Sequence, residues 1–135
     1  MKYQVIYFSR KGSTKKLADA ISSQLGVKPE DVKKAKLDQN AFIFLGSGCY
    51  GGKPSKVMKK FIENNDFKKI NVALFGTSGG GEGKEVEEMQ DQLNKKEAKI
   101  KGKFFCKAKF AFMNLERPNN EDLDKAKKFA KNMIN

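Results

Sequence analysis

Histidine is absent from the 135 residues, and the chain holds only two cysteines and three prolines. The missing histidine removes the commonest general base and the commonest metal ligand. Cys49 and Cys106 stand far apart in unlike surroundings, so neither a disulfide framework nor a cysteine metal site is indicated. No apolar run approaches the length of a membrane span. The opening "MKYQVIYFS" enters a strand pattern instead of a signal peptide, and a cytoplasmic protein is expected. Acidic residues are scarce beside basic ones, 16 Asp and Glu against 28 Lys and Arg, for a net charge of +12. Most of that charge reads as a solvated surface. The sharper reading is a field that attracts anionic partners, whether acidic protein, nucleic acid or phosphorylated ligand.

Repeats, low-complexity segments and linkers are also missing. The length predicts one domain, 1–135, able to bury a core without disulfide or metal staples. Short apolar runs alternate with amphipathic ones, which predicts α/β. A first strand covers residues 3–8. The helix after it carries Leu17, Ala18, Ile21 and Leu25 at helical spacing and stops at Gly26. A lysine-rich edge strand is expected at 32–37 and a fully buried central strand at 41–46. Pro54 opens a helix with Val57, Met58, Phe61 and Ile62 as its buried stripe. A fourth strand covers 70–76, and the helix after it carries Val86, Met89 and Leu93. Alternation over 103–112 predicts a half-exposed fifth strand with Phe104, Cys106, Ala108, Phe110 and Phe112 inward. Asn120 then caps a last helix that buries Leu123, Ala126, Ala130 and Met133. Right-handed crossovers through this alternation give an open parallel sheet with helices on both faces.

In such sheets, ligands sit outside the carboxyl ends of the strands, where the strand order reverses. The three loops leaving strands one, three and four are the ones rich in Gly, Ser and Thr, and all three gather on that edge. The loop "SRKGST" offers the hydroxyls of Ser9, Ser13 and Thr14, amides freed by Gly12, and the positive end of a helix dipole. Arg10 and Lys11 can add charge. An isolated loop of this kind is often no more than a helix capped by Ser13. Beside two other glycine-rich loops, it reads as an anion cradle for phosphate. The spacings GxxxxGK[ST] and GxGxxG are both missing, which excludes a nucleotide triphosphatase loop and a dinucleotide fingerprint.

The spacing Val5, Ile6, Tyr7, Ser9, Gly12, Thr14, Ala18 and Ile21 resembles the phosphate-loop signature of flavodoxins at every position. "FLGSGCYGGKPSK" and "ALFGTSGGGEG" are similar to their second and third flavin-contacting loops, and "RPNNEDLDKAKKFAK" to their ending. The resemblance covers the whole chain and, without a long insertion in strand five, indicates the short-chain type. It implies a three-layer, doubly wound, five-stranded parallel sheet in the order 2-1-3-4-5, holding flavin mononucleotide (FMN) non-covalently for electron transfer. It further implies that Ser9, Arg10, Lys11, Gly12, Ser13 and Thr14 surround the phosphate. Ser47, Gly48, Cys49, Tyr50 and Gly51 would border one side of the isoalloxazine ring, and Thr77, Ser78, Gly79, Gly80 and Gly81 the other. Tyr50 is the natural stacking ring. Gly51 is free to flip its peptide toward flavin N5. Cys49 reads better as a small packing group.

Two departures from the family pattern stand out. Glu82 is the nearest acid to the loops, and "TSGGGEG" contains no aromatic ring. Lysines in place of carboxylates favour the anionic reduced flavin, so a less negative hydroquinone potential is expected. The redox partner is expected to be an acidic protein and the carrier itself a monomer. The same departures leave room for a site that holds another planar anion, such as haem or a porphyrin, or for a small flavin-dependent reductase. Nucleic-acid binding has only the net charge behind it, with no aromatic platform and no reading helix.

Overall fold

β-Branched and aromatic residues at Lys2–Phe8 form β1 of the computed structural model, which describes Met1–Asn135. The chain continues through α1 (Ser13–Leu25), β2 (Pro29–Asp31), β3 (Ala41–Gly48), α2 (Lys56–Asn64), β4 (Asn71–Ser78), α3 (Lys84–Lys95), β5 (Lys99–Lys107) and α4 (Asn120–Ile134). The five strands are all parallel, in the order β2-β1-β3-β4-β5. That is the doubly wound α/β order expected from the sequence. The order reverses between β1 and β3, and the loops leaving these two strands open side by side. No helix is long and apolar enough to cross a membrane.

Two apolar layers hold helices on the two faces of the sheet. Ile6, Ile43, Leu45, Val72 and Leu74 pack on one side against Met58 and Ile62 of α2 and Val86, Met89 and Leu93 of α3. Val5, Phe44, Ala73 and Phe75 pack on the other against Leu17, Ala18 and Ile21 of α1 and Ala126 and Ala130 of α4. β3 is buried along its whole length, as a central parallel strand must be. Gly46 makes room for a ring, since a Cβ there would lie 2.0 Å from Phe75 Cε2. Helix α1 ends as predicted at Gly26, whose φ of 72° is a left-handed cap.

Several boundaries differ from the sequence reading. The edge strand is Pro29–Asp31, and residues 32–37 are turn and irregular chain. Asp31 stops the pairing: its side chain accepts the Lys33 amide hydrogen, and its carbonyl accepts those of Lys34 and Ala35. Pro54 precedes the cap of α2 instead of opening the helix. Ser55 is the cap, accepting the Met58 amide hydrogen, and Val57 is exposed. The cap of α4 is Asn119, not Asn120, and with Asp122 it forms a reciprocal capping box. Arg117 grips the Asp122 carboxylate with two bonds of 2.6 and 2.8 Å. Burial pushes the Asp122 carboxyl up, and Arg117 with the Asn119 amide more than offsets this, leaving it below the ordinary range.

The largest difference is at the end of β5. The strand stops at Lys107, so Phe110 and Phe112 are not in the core: they are 63% and 95% exposed. A tight hairpin replaces the strand, with Phe110 and Met113 exchanging both backbone hydrogen bonds and Ala111 in the left-handed region. Asn114 pins the hairpin, donating from its side chain to the carbonyls of Gly79 and Ala108.

Candidate functional site

The loop after β1 is shaped by two residues. Ser9 Oγ accepts the Gly12 amide hydrogen at 3.0 Å, and Gly12 turns into α1 with φ 98°. That φ is strained for any residue with a Cβ. Gly12 is the helix cap, and no side chain bonds the first turn. The amides of Ser13, Thr14 and Lys15 therefore have no intrahelical acceptor and lie at the positive end of the helix dipole. Thr14 is buried, and its hydroxyl pairs with that of Thr77 at 2.8 Å, tying this loop to the end of β4.

The loop after β3 folds back over the first. Tyr50 and Lys53 exchange two backbone hydrogen bonds around Gly51 and Gly52, both in the left-handed region. Tyr50 crosses Gly48, where an added Cβ would lie 2.7 Å from the phenol oxygen. That oxygen accepts the Arg10 amide hydrogen at 3.2 Å, while the Arg10 guanidinium lies 4.6 Å above the ring and Phe8 meets its edge. Ser47 is fully buried. Its hydroxyl donates to the Gly48 carbonyl and accepts the Ser55 amide hydrogen, so it holds the loop and the start of α2 together. In the loop after β4, Ser78 Oγ accepts the Gly81 amide hydrogen at 2.8 Å.

These loops surround a recess of about 150 Å³ lined by Ser9, Arg10, Lys11, Ser13, Thr14, Gly48, Cys49, Tyr50, Thr77 and Ser78. All ten are among the residues singled out from the sequence. Gly12 shapes the first loop without lining the recess, and Gly51 does the same for the second. Ser47 lies behind the wall, and Gly79 and Gly81 are outside it. Gly80 borders a neighbouring hollow with Cys49, Gly52 and Ser78.

Ala108, Lys109 and Phe110 also line the recess and were missed. Phe110 presses on Gly79, where a Cβ would meet the Phe110 Cβ at 3.0 Å. An aromatic ring therefore reaches the recess from the chain after β5 and not from the third loop. The sequence carried a usable signal: "KFAFMNLERP" contains Asn114 and runs into Pro118, a turn composition after a strand already long enough to end. The rim is cationic through Arg10, Lys11 and Lys109.

A second residue missed by sequence reasoning sits behind Cys49. Glu85, in the first turn of α3, is 0% exposed, and neither carboxyl oxygen has a hydrogen-bond partner. Burial pushes its pKa from the ordinary 4.5 up to about 7. Burial and Glu85 together push the Cys49 thiol up, and burial drives Cys106 to about 12. Both thiols therefore stay protonated at neutral pH. Burial likewise pushes the Tyr50 phenol up.

Comparison with known proteins gives a consistent picture. The Flavodoxin domain profile matches residues 4–129. An uncharacterized protein of Methanocaldococcus jannaschii is 30% identical, with 99% of each chain covered. The flavodoxin-like domain-containing protein BilS of Clostridioides difficile is 33% identical over 82% of this chain and 68% of its own. In fold, the chain is similar to a flavodoxin from the domain Archaea with a TM-score of 0.81, at 22% identity, covering 98% of this chain and 96% of the other. With a profile match from the first strand into the last helix and the 2-1-3-4-5 sheet beneath it, this chain belongs to the flavodoxin family.

Proposed function

We propose that this protein binds FMN non-covalently in the recess and carries electrons between redox proteins. The observation that carries the reading is the convergence, on one recess at the switch point of the sheet, of uncapped helix amides with two loops able to border a flat ring. The fit is chemical. Ser13, Thr14 and Lys15 offer amides without acceptors, Ser9 and Ser13 offer hydroxyls, and Arg10 and Lys11 offer charge for a phosphate. Gly48, without a side chain, leaves room for the Tyr50 phenol to cross the floor. When bound, FMN supplies one- and two-electron chemistry.

The protein's own part is to hold and shield. Ser9 to Thr14 anchor the phosphate. Gly48, Cys49, Tyr50, Thr77 and Ser78 would border the ring, with Tyr50 and Phe110 at the mouth. The Tyr50 hydroxyl accepts the Arg10 amide hydrogen, which ties the second loop to the first. The cationic rim favours the reduced, anionic state of the site. The test is the visible spectrum of freshly purified protein. A bound-flavin absorption that dithionite bleaches and air restores supports the reading, and a colourless protein that takes up no added FMN overturns it.

The partner is an acidic protein. Phe110, which lines the recess, and Phe112, Met113 and Leu115 after it are exposed, as is Phe105 of β5 at 41%. The chain around them carries Lys101, Lys103, Lys107 and Lys109 against Glu116, with Arg117 already paired to Asp122. An exposed apolar tip in a basic collar matches an apolar hollow ringed by carboxylates. Phe112→Ser is expected to slow electron exchange with an acidic haem protein several-fold at low salt while leaving the flavin spectrum intact. Stopped-flow kinetics read this. Rates insensitive both to salt and to the substitution contradict the docking assignment.

A further inference from the structure

Resting on the electron-carrier reading, we propose that Glu85 is the proton-accepting group of the site: when electrons arrive at the recess, its carboxylate takes a proton from solvent and balances the added negative charge. Its surroundings make it suited to this role and to little else. A carboxyl with no exposure and no hydrogen-bond partner is a poor structural group, since an apolar side chain of the same size would pack there without desolvation. The fold nevertheless makes space for it. A Cβ on Gly76 of β4 would lie 2.0 Å from Glu85 Oε2, so any side chain at position 76 evicts the carboxyl.

That space is directly behind the recess. Gly76 precedes Thr77, and Cys49 both lines the recess and acts on the Glu85 carboxyl. The thiol contact falls short of hydrogen-bonding geometry, so burial and not pairing governs the proton on Glu85. The groups facing it are few. β4 contributes only Gly76, the loop after β3 contributes Cys49, and β5 contributes Cys106, both of them neutral thiols at pH 7. Within α3, Glu87 adds a like charge, which raises its proton affinity further. Lys84 turns its ammonium to Glu82 at 3.6 Å. No cation neutralises Glu85, so a negative charge arriving beyond Cys49 acts on it through a poorly screened interior.

The balance is as follows. A one-electron donor, dithionite in the test, supplies two electrons in turn. With FMN bound, the flavin would supply the acceptor for these electrons and one proton, and Glu85, ionised above neutral pH, would take a second proton from water to become the neutral acid. One extra proton per two electrons makes the reduction equilibrium change tenfold more per pH unit than the flavin alone requires, about 30 mV for a two-electron couple.

The experiment is a redox titration of the FMN-loaded protein from pH 6 to 9 for the native chain and for Glu85→Gln. The expected result is an added slope beginning near neutral pH in the native protein and absent from Glu85→Gln. The reduced-minus-oxidised infrared spectrum of the native protein at pH 8 should also show a protonated-carboxyl band that the variant lacks. Identical slopes in the two proteins, or no carboxyl band, overturn the proposal. Should Glu85→Gln fold poorly, the infrared spectrum of the native protein decides alone. A protein that takes up no FMN sinks the electron-carrier reading and this proposal together, and the lack of a bound-flavin spectrum distinguishes that outcome from flavin-loaded protein without the added slope.

Discussion

Replacing Gly12 by valine is expected to weaken FMN binding by tenfold or more while the sheet stays folded. The reason is conformational, not steric: no atom lies within 4 Å of a Cβ built at this position, but φ is 98°. A left-handed backbone costs an L-residue about 1–2 kcal/mol, and branching at Cβ adds to this. The loop relieves the strain by rotating, and the amides of the first turn of α1 then point away from the recess. Hydrogen bonds to a charged group contribute roughly 1.5–3 kcal/mol each, so losing one of them is a ten- to hundredfold change in affinity. Gly12→Ala, less strained, should lose less. Flavin fluorescence titrations beside thermal melts of both variants check this, and unchanged affinity in Gly12→Val contradicts the assignment of the phosphate to this turn.

Flavin-free protein is expected to lose stability as pH rises from about 4.5 to about 7, and Glu85→Gln is expected to abolish most of that loss. Glu85 binds its proton more tightly folded than unfolded, with a pKa of about 7 against the ordinary 4.5. Between these values the native state holds more protons than the unfolded chain, so stability falls with pH, and the full penalty is reached above about 7. At 1.36 kcal/mol per unit, the difference amounts to about 3 kcal/mol, a large share of a small domain's stability. Below pH 4.5 the carboxyl is neutral in both states and the penalty vanishes. Glutamine keeps the shape without the charge, although its amide also lacks partners in that space. The variant should therefore be the more stable protein at pH 8 and no more stable at pH 5. Urea denaturation at the two pH values reads the difference, and parallel pH profiles for the two proteins contradict it.

What was legible in the sequence is what periodicity and loop chemistry encode. The run "AFIFLG" is apolar on both faces because both faces of β3 are covered by helices. The loops at Ser9, Gly48 and Thr77 converge because parallel strands deliver their carboxyl ends to one edge. What misled was local pattern continued beyond its physical support. Alternation through Phe110 and Phe112 looks like strand, yet the sheet partner β4 ends at Ser78, opposite Lys107, and a strand has nothing to pair with after that. Val32 and Leu37 suggested an edge strand, but Asp31 offered the backbone a turn first. Glu85 was invisible for a different reason. An acid in the first turn of a helix is what the dipole favours on any exposed surface, and only packing against Gly76 shows that this one faces inward.

The central claim, that the first turn holds a phosphate and its neighbours grip the attached ring, is tested most directly by titrating flavin-free protein with FMN and, separately, with riboflavin. Saturable quenching by one FMN per chain, with riboflavin binding at least a hundredfold more weakly and inorganic phosphate competing against FMN, is the predicted result. Absence of quenching, or equal affinity for the two flavins, contradicts it.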